Sequence, residues 1–409
     1  MKVAHFSRFV PNQSGQYGTV KDLIKAERGL GVDAGFIAPM MGQGVETSAA
    51  IARKDGWLQT EKMEWADDAD ILVRHVLVPS KMVHSGKQAK VMCLHGRPEN
   101  SFLLGIYSLN AVYNTVYYER KTWDMFVTFW EEFKFHWSQL IDDSESRLRY
   151  VPAMCDLDLY NPEGDKRDLG ELSGKPNIVI ADMWREDTTP YNVLHAAAYF
   201  KANYCPEAAI HVYGIPKDKK SIVDLNRILK NKGVIGETIG LCRKMEKTFR
   251  AADIVVTPHV IATRVIRESM SCGTPIVAGG DCPYTQYGGD PRNIQAFAKE
   301  INRCWEDIKV NPDLGKDFRL RAEKEFNLEQ TGRAMIAVFD EVLKRRKDSG
   351  ADGEYAIRQE QSRSAKRRQQ KQSKKQLKMQ QQQQIKHFMD QRQEIAAQNA
   401  INMERKKHA

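Results

Sequence analysis

A segment in the second half of the chain combines residues suited to binding a nucleotide diphosphate. In AADIVVTPHVIATRVIRESMSCGTPIVAGG, residues 251–280, an apolar run is followed by a loop and a helical stretch. The N-terminus of that helix, at Ala262–Val265 with Thr263 and Arg264 between them, offers unpaired backbone N–H groups and the positive end of the helix dipole. Glu268 lies one turn further on, and its two carboxylate oxygens can accept hydrogen bonds from ribose hydroxyls. The alternatives are a solvated helix residue for Glu268 and a surface charge for Arg264.

A second cationic candidate follows another apolar run. In ADMWREDTTPYNVLHAA, residues 181–197, Arg185 stands at the end of a predicted strand. An arginine suits a diphosphate because its planar guanidinium group can donate to two oxygens at once. Asp187 and Thr188 are better explained as caps of a helix that begins at Pro190.

Two places in the first half of the chain are also candidates for ligand contact. Gly15 and Gly18 stand before a helical stretch, where the absence of a Cβ atom lets a ligand approach the backbone. A plain loop-to-helix turn is the alternative. His95 and Gly96 follow the apolar run of residues 89–94, so the histidine is expected at a strand end. It can contact a ligand there or satisfy a nearby carbonyl group.

Alternating strands and helices are expected to position these residues. Apolar runs predict a first series of strands at residues 2–6, 34–38, 71–76, 89–94, 125–130 and 149–152, and a second series at 177–183, 209–214, 233–237, 253–258 and 275–279. Helical stretches lie between the runs, for example at residues 19–29 and 101–120. This alternation predicts parallel sheets covered by helices on both faces. Such sheets bind ligands at the carboxyl ends of their strands.

Because the strand pattern restarts, we predict two doubly wound Rossmann-like domains facing a cleft. The first comprises residues 1–157 and the second residues 177–327, joined by a linker at 158–176 that is rich in Gly, Pro and charged residues. A helix follows at 328–347, and its apolar residues recur at the spacing of a core-facing helix. A basic tail at 348–409 completes the chain. One large α/β domain with an insertion is the alternative.

Composition narrows the class of protein. The chain has 409 residues, 42% of them hydrophobic and 28% charged, which is typical of a folded globular protein. No run of eighteen apolar residues occurs, and the start MKVAHFSRF lacks the layout of a secretory signal. Seven cysteines are scattered without a C-x-x-C pair, which disfavours a zinc site and a disulfide framework. We therefore predict a cytoplasmic protein without a bound metal.

The positive charge of the chain is concentrated in the tail. The whole chain carries +9, whereas residues 358–409 hold fourteen Lys or Arg and four acidic residues, a net +10. The tail is also rich in Gln and poor in apolar residues, so we expect it to be disordered or helical but not to fold alone. As a helix it would present a basic stripe suited to nucleic acid or to an anionic membrane, at Lys371, Lys374, Lys375 and Lys378. A solvated tail that aids solubility is the alternative.

The segment at 251–280 resembles the retaining GT-B glycosyltransferases, which transfer sugars from nucleotide diphosphate donors. That family has a Glu, seven residues, a second Glu, then Ala-x-Gly-x-Pro and a Val-Val strand. Glu268 and the Cys-Gly-Thr-Pro at residues 272–275 match the second part of this pattern. The order and spacing of elements are similar over residues 1–346. The resemblance implies the GT-B architecture, with the helix at 328–347 packing back on the N-terminal domain.

The resemblance also implies roles for individual residues. Arg185 would contact the donor phosphates, the turn with Gly15 and Gly18 would face the donor phosphate and acceptor, and His95 would approach the donor sugar. We predict as catalytic residues His95, Arg185 and Glu268. We predict as donor-binding residues Gly15, Gly18, Arg185, Thr263, Arg264, Val265 and Glu268.

Two positions depart from the family pattern. Val260 stands where the family has the first Glu, which contacts the donor sugar. Pro190 stands where a Lys on the donor phosphates would be, five residues after Arg185. No residue in the sequence identifies itself as a general base. The nucleotide site is therefore better supported than the sugar chemistry.

The resemblance implies a hexosyl- or pentosyltransferase. Its donor would be a UDP- or GDP-sugar, with no further cofactor, and its acceptor a hydroxyl of a cell-surface or lipid-linked glycan. A different acceptor would be a hydroxylated base in DNA, as in phage enzymes of similar fold. The same architecture would also suit a nucleotide-sugar 2-epimerase or a non-catalytic nucleotide-sugar binding protein. Through its tail the cytoplasmic protein would reach the inner membrane face or, with the DNA acceptor, the duplex.

Overall fold

Two parallel β-sheets form the framework of the computed structural model. It describes residues 1–6, 15–37, 58–60, 66, 68–75, 88–98, 123–168, 176–182, 190–214, 227, 237–239 and 244–348. Several expectations lie outside the described residues: the position of Arg185, the caps Asp187 and Thr188, the helix at 101–120, and the tail from residue 349 onward.

Seven parallel strands form the first sheet, in the order β3-β2-β1-β4-β5-β6-β7. They are β1 (Lys2–Phe6), β2 (Asp33–Ile37), β3 (Leu58–Thr60), β4 (Ile71–His75), β5 (Ala89–Leu94), β6 (Met125–Thr128) and β7 (Leu148–Tyr150). The central strands β4, β5 and β6 are buried at every residue. Burial on both faces explains why these strands read as mostly apolar runs rather than as alternating patterns.

A second sheet of six parallel strands follows, in the order β10-β9-β8-β11-β12-β13. Its strands are β8 (Asn177–Ala181), β9 (Ala209–Tyr213), β10 (Glu237–Ile239), β11 (Ile254–Val256), β12 (Ile276–Gly279) and β13 (Gly288–Gly289). In both sheets the order reverses beside the first strand, which is the doubly wound arrangement predicted from the sequence. The predicted α/β fold class is confirmed.

Helices alternate with the strands or follow them. They are α1 (Gly15–Gly29), α2 (Lys134–Ser138), α3 (Ser144–Arg147), α4 (Pro190–Asn203), α5 (Met245–Ala251), α6 (Arg264–Ser271), α7 (Ile294–Val310), α8 (Leu314–Glu325) and α9 (Leu328–Asp348). A 3-10 turn, Glu131–Phe133, leads into α2. Within the described ranges, none of the helices combines the length and the apolar character that a membrane span requires.

The observed strands follow the predictions closely, with three differences. Of the strand expected at 233–237, only residue 237 is described, and it begins the strand Glu237–Ile239. The strands Leu58–Thr60 and Gly288–Gly289 were not predicted, because they are short and carry no apolar run. Short edge strands are recognised by their partners in space, which a single sequence does not display.

Each sheet has its own hydrophobic core. One face of the first sheet packs against α1 and α9, through Val20, Leu23 and Ile24 on α1. Its other face packs on an aromatic cluster that includes Trp123, Phe126 and Trp137. The second sheet is enclosed by α4 to α8 in a separate core. The six cysteines among the described residues are buried and free, and they contribute as small apolar side chains.

The helix α9 returns to the first sheet. Met335, Val338, Phe339 and Val342 are buried in the core shared with α1. A hydrogen bond from Thr331 Oγ1 to the Pro152 carbonyl oxygen, 3.0 Å long, fixes the start of the helix. Further along, Arg149 of β7 donates two hydrogen bonds to the Glu341 carboxylate, at 3.0 and 2.6 Å. The apolar spacing of this helix therefore marks a buried face, as predicted.

Candidate functional site

The predicted site residues in the described part of the chain lie at the carboxyl ends of the two sheets. Gly15 begins α1, which follows β1, and His95 comes directly after β5. Thr263 precedes α6, which follows β11. Elements of both sheets therefore present these residues toward the same region, as contacts of the Arg264 side chain demonstrate. Arg185 lies outside the described residues.

Arg264 joins the two halves of the site. Its Nη1 donates to Oδ2 of Asp22 on α1 at 2.7 Å, and its Nη2 contacts Oε1 of Glu268 one turn along α6. The side chain also covers the first turn of α1: a Cβ atom added to Gly18 would lie 2.5 Å from Arg264 Cζ, and one added to Gly15 would lie 3.3 Å from Cδ. The two glycines were predicted to precede the helix, but they lie within its first turn, and the space beside them is filled by this guanidinium group rather than left to a ligand.

Burial strengthens the electrostatic interactions among Arg264, Asp22 and Glu268. The side chains of Arg264, Asp22 and Glu268 are 18%, 5% and 9% exposed. Burial opposes the charge of Arg264, but the carboxylates of Glu268 and Asp22 outweigh it and raise the pKa of the guanidinium group. Burial raises the pKa of Glu268, and the charge of Arg264 opposes that rise. The interpretation of Arg264 as a surface charge is therefore wrong.

The N-terminus of α6 carries no side-chain cap. Thr263 is the N-cap residue with extended backbone angles, φ −61° and ψ 168°, and its side chain makes no capping hydrogen bond. The first N–H groups of a helix have no partner within the helix, so an uncapped start leaves them available to an anion. Arg264 and Val265 supply the first of these N–H groups.

A second arginine on α6 was not predicted. Arg267 is 2% exposed, and its Nε and Nη1 atoms have no hydrogen-bond partner within the described ranges. Burial lowers the pKa of Arg267 to about 10, and the neighbouring charge of Arg264 acts in the same direction. An anion next to this guanidinium group would relieve both effects, because it would supply an opposite charge and hydrogen-bond acceptors.

His95 extends the site into the first sheet. Its Nε2 lies 2.8 Å from Nδ1 of His75, the last residue of β4, and its ring lies beside Phe129. Burial, followed by the charge of Arg267, lowers the pKa of His95 to about 3. His95 therefore carries no charge at neutral pH and can act through hydrogen bonds alone.

The carboxyl edge of the second sheet holds a further polar pair. His259 Nε2 lies 2.9 Å from Asp182 Oδ2, just beyond β11 and β8. Glycines allow the backbone to pack closely here: a Cβ atom on Gly214 would lie 1.8 Å from the Asp182 carbonyl oxygen, and one on Gly279 would lie 2.0 Å from the Pro258 carbonyl oxygen. The next residue, Val260, is 39% exposed, so an apolar surface occupies the position of the family's sugar-facing acid.

Several polar residues of this region were missed from the sequence. They are Asp22, His75, Asp182, His259 and Arg267. His75 ends an apolar strand, and a polar residue at such a position is itself a signal that was available. Asp22 and Arg267 lie on helices, where a buried charge cannot be told from a solvated one without knowing which face packs inward. Among the described residues, His, Cys, Asp and Glu side chains form no group of three or more that could hold a metal ion.

Comparison with solved structures decides the fold. HepE from Anabaena, in complex with UDP and glucose, superimposes with a TM-score of 0.65 at 15% identity, over 83% of this chain and 99% of HepE. For a glycosyltransferase from Rickettsia africae the TM-score is 0.61 at 15% identity, over 84% of this chain and 98% of the other. For WaaG, a glycosyltransferase involved in lipopolysaccharide biosynthesis, the TM-score is 0.58 at 11% identity, over 82% and 99%. The chain has a GT-B fold.

The GT-B fold explains the position of the site. In this architecture two doubly wound sheets turn their carboxyl ends toward a shared cleft, and the contact between Arg264 and Asp22 spans the two halves. At these levels of identity the structural similarity establishes the fold and not the activity. No protein-family model matches the chain, and no curated protein matches it either.

Proposed function

We propose that this protein is a glycosyltransferase that moves a sugar from a nucleotide diphosphate to an acceptor hydroxyl, with retention of configuration at the anomeric carbon. The observation that carries the proposal is the arrangement around α6. An uncapped helix N-terminus, the partly buried Arg264, the buried Arg267 and Glu268 lie together at the carboxyl end of the second sheet. The glycine turn of α1 packs against the same arginine.

The solved structures of similar fold support a nucleotide-sugar donor. HepE was crystallised with UDP-glucose and with UDP. We therefore propose UDP-sugars as the first donors to test and GDP-sugars as the second, without a further cofactor. The resemblance of residues 251–280 to the GT-B family supports the same donor class independently of the fold.

Donor cleavage requires stabilisation of the leaving diphosphate. The N–H groups at the start of α6 and the Arg267 guanidinium group are suited to this role, because they are fixed in place before the reaction and shielded from water. Each such donor typically contributes about 2–4 kcal/mol to stabilisation of the transition state. We retain Arg185 as a further candidate for the same role, on the basis of the sequence pattern. Pro190, the first residue of α4, stands where the family has a lysine on the donor phosphates, and we assign no such role to it.

Glu268 is suited to hold the ribose. One carboxylate oxygen contacts Arg264, and a carboxylate has a second oxygen with which to accept a hydrogen bond from a ribose hydroxyl. Arg264 fixes the orientation of the carboxylate, so that the entropy lost on binding the ribose is reduced. His95, across the cleft on the first sheet, is proposed to contact the sugar.

For the acceptor we propose a cell-surface or lipid-linked glycan. The role of WaaG in lipopolysaccharide biosynthesis supports this choice by analogy. The +10 charge of residues 358–409 supports a cytoplasmic enzyme held at the anionic inner face of the membrane. A hydroxylated base in DNA is the alternative acceptor, since the same charge suits a phosphate backbone.

The proposal is tested by incubating the purified full chain with a panel of UDP- and GDP-sugars. Mass spectrometry then follows donor consumption and product formation on lipid-linked glycans and on DNA containing hydroxymethylated bases. We expect turnover of at least one donor. In Glu268→Gln, kcat/KM should fall by about 10- to 100-fold, because a hydrogen bond to a charged group is lost. Glu329→Gln, at an exposed position on α9, is the matched control and should retain wild-type turnover.

A non-catalytic nucleotide-sugar binding protein is the second candidate. The exposed Val260 in place of the family's acid favours it. Donor binding without any consumption would select this candidate, and conversion of the donor to an isomer would instead indicate a 2-epimerase. Binding of none of the nucleotide sugars would contradict all three functions.

A further inference from the structure

A row of buried polar side chains runs through the first sheet and ends at the cleft. Glu27 of α1 contacts His5 of β1, with 2.8 Å between Oε2 and Nε2. His5 Nδ1 lies 3.1 Å from Nε2 of His75 on β4, and His75 Nδ1 lies 2.8 Å from Nε2 of His95. Glu27, His5 and His75 are each 0% exposed. Buried polar groups of this kind are costly unless hydrogen-bonded, so the row is a specific feature of this core.

The register of the strands explains the row. His5 pairs with Val73 of β4, and His75 pairs with Cys93 of β5. His75 therefore lies two residues beyond Val73, the partner of His5. In the same way, His95 lies two residues beyond Cys93, the partner of His75. Since side chains alternate between faces with a period of two, all three histidines point to the same face. That face is covered by α1, which supplies Glu27.

With Glu27 ionised and all three rings neutral, the contacts of the row allow one set of tautomers. A carboxylate can only accept, so ionised Glu27 requires His5 to donate from Nε2. A neutral imidazole has one N–H group, so His5 Nδ1 must then accept from His75 Nε2. His75 Nδ1 accepts in turn from His95 Nε2. Three neutral rings supply three protons for three contacts, and the Nδ1 atom of His95 is left without a proton.

The row ends at a partly exposed histidine, His95. His95 is partly exposed, and its Nδ1 atom has no hydrogen-bond partner among the described residues. The charge of Arg267 acts on this ring and, together with burial, opposes an additional proton on it. A bare ring nitrogen next to a cleft is an acceptor for a hydroxyl group.

We propose that Glu27 is a positioning residue that acts through His5 and His75 to keep Nδ1 of His95 unprotonated, so that His95 accepts a hydrogen bond from a hydroxyl group of the bound sugar. This inference rests on the proposed function for the identity of the ligand. The tautomer itself is a property of the donor-free protein. The transferred sugar offers several hydroxyl donors, whereas a nucleotide diphosphate that lacks the transferred sugar has none at this position. The row therefore distinguishes the sugar from the rest of the donor.

Nitrogen-15 NMR of the donor-free full chain, labelled at histidine, tests the tautomer directly. The His95 resonance is assigned by its loss in His95→Gln. We expect His95 in the wild-type protein at pH 7 to carry its proton on Nε2 alone. In Glu27→Gln the amide can donate as well as accept, so a measurable fraction of His95 should carry its proton on Nδ1. His211→Gln, at a buried histidine of the second sheet that bonds to Asn177, is the matched control and should leave the His95 resonance unchanged.

Binding measurements test the consequence for the sugar. Glu27→Gln should weaken binding of UDP-glucose about five- to tenfold, the effect of one hydrogen bond, and leave binding of UDP unchanged. A proton on Nδ1 of wild-type His95, or an unchanged His95 tautomer in folded Glu27→Gln, would overturn the proposed row. Equal weakening of UDP and UDP-glucose would overturn its role toward the sugar. If the wild-type chain binds neither ligand, the proposed function and that role fail, while the tautomer remains decided by NMR.

Discussion

At the scale of single residues, buried neutral histidines make the stability of this protein depend on pH. Burial lowers the pKa of His211, on β9, to about 4, whereas an unfolded histidine titrates near its ordinary value of about 6.5. Below pH 6.5 the unfolded chain therefore takes up a proton that the folded chain does not bind. The contribution of this residue to stability is complete above that pH and is lost as the pH falls toward 4.

His211→Gln should make the protein less sensitive to acid. Glutamine can still donate to Asn177, but it does not titrate. Relative to pH 8, the free energy of unfolding of the wild-type protein at pH 5 should fall by about 2 kcal/mol more than that of the variant, from about 1.4 kcal/mol per pH unit below 6.5. Urea unfolding at the two pH values measures this difference. The same loss in both proteins would contradict a neutral buried His211.

At the scale of elements, the sequence carries most of the framework. Strands β1, β4, β5 and β8 are mostly apolar runs, and each was located to within about two residues because strands buried on both faces are rich in apolar residues. The helix α9 was located by its periodic apolar face. The strand of Gly288–Gly289 could not be found, since it is defined only by its pairing with β12.

The candidate site was less accessible to sequence reasoning than the framework. Gly15, Gly18, Arg264 and Glu268 were singled out, and in the structure Arg264 contacts or covers the other three. Its partner Asp22 is 242 residues away in the chain, and no local pattern links two residues at that separation. The row from Glu27 to His95 was likewise hidden, because it depends on the register between three strands.

Close backbone packing at the second sheet provides a test at this scale. Gly279 of β12 donates a 3.0 Å hydrogen bond to the His259 carbonyl oxygen, and its Cα faces the Pro258 carbonyl group. Gly279→Ala should lower the free energy of unfolding by about 2 kcal/mol or more, because backbone atoms must move to accept the methyl group. Gly29→Ala, where a Cβ atom would meet nothing within 4 Å, is the matched control. It should change stability by less than about 1 kcal/mol. Equal effects, measured by urea unfolding, would contradict the close approach.

At the scale of the whole molecule, charged contacts link the two sheets and the segment that crosses between them. Lys25 of α1 lies 2.6 Å from Asp156 in the segment that crosses between them. Arg319 of α8 donates to carbonyl oxygens of Tyr160 and Ser271, at 2.8 Å each. Arg264 pairs with Asp22 of the first half and with Glu268 of its own helix. The contacts of Arg264 are the most deeply buried of the three sets, so their removal should lower the free energy of unfolding the most.

Arg264→Met should destabilise the protein by about 3–5 kcal/mol at pH 7, because two buried carboxylates lose their counter-charge. Burial raises the pKa of Glu268 and the charge of Arg264 opposes that rise, so without Arg264 the pKa of Glu268 should rise further. The loss should therefore be largest at neutral pH and should diminish as the pH falls toward 5 and Glu268 becomes protonated. Urea unfolding of the variant and of the wild-type protein at pH 7 and pH 5 checks both statements.

The double variant Arg264→Met with Asp22→Asn is the control for this interpretation. It removes one of the two uncompensated charges together with the arginine, and should recover part of the stability lost in Arg264→Met. A double variant that is less stable than Arg264→Met would contradict charge compensation as the function of this arginine in the donor-free protein.

The return of α9 to the first sheet has a consequence for how the protein is made. The core of the first sheet includes Met335, Val338, Phe339 and Val342, whereas the core of the second sheet is complete at Phe326. Ribosomes add residues in order, and domains usually fold as they emerge, the N-terminal one first. Here the earlier half lacks part of its interior until the later half has been synthesised. The nascent first sheet must therefore remain partly uncovered throughout translation of the second, and it is completed last.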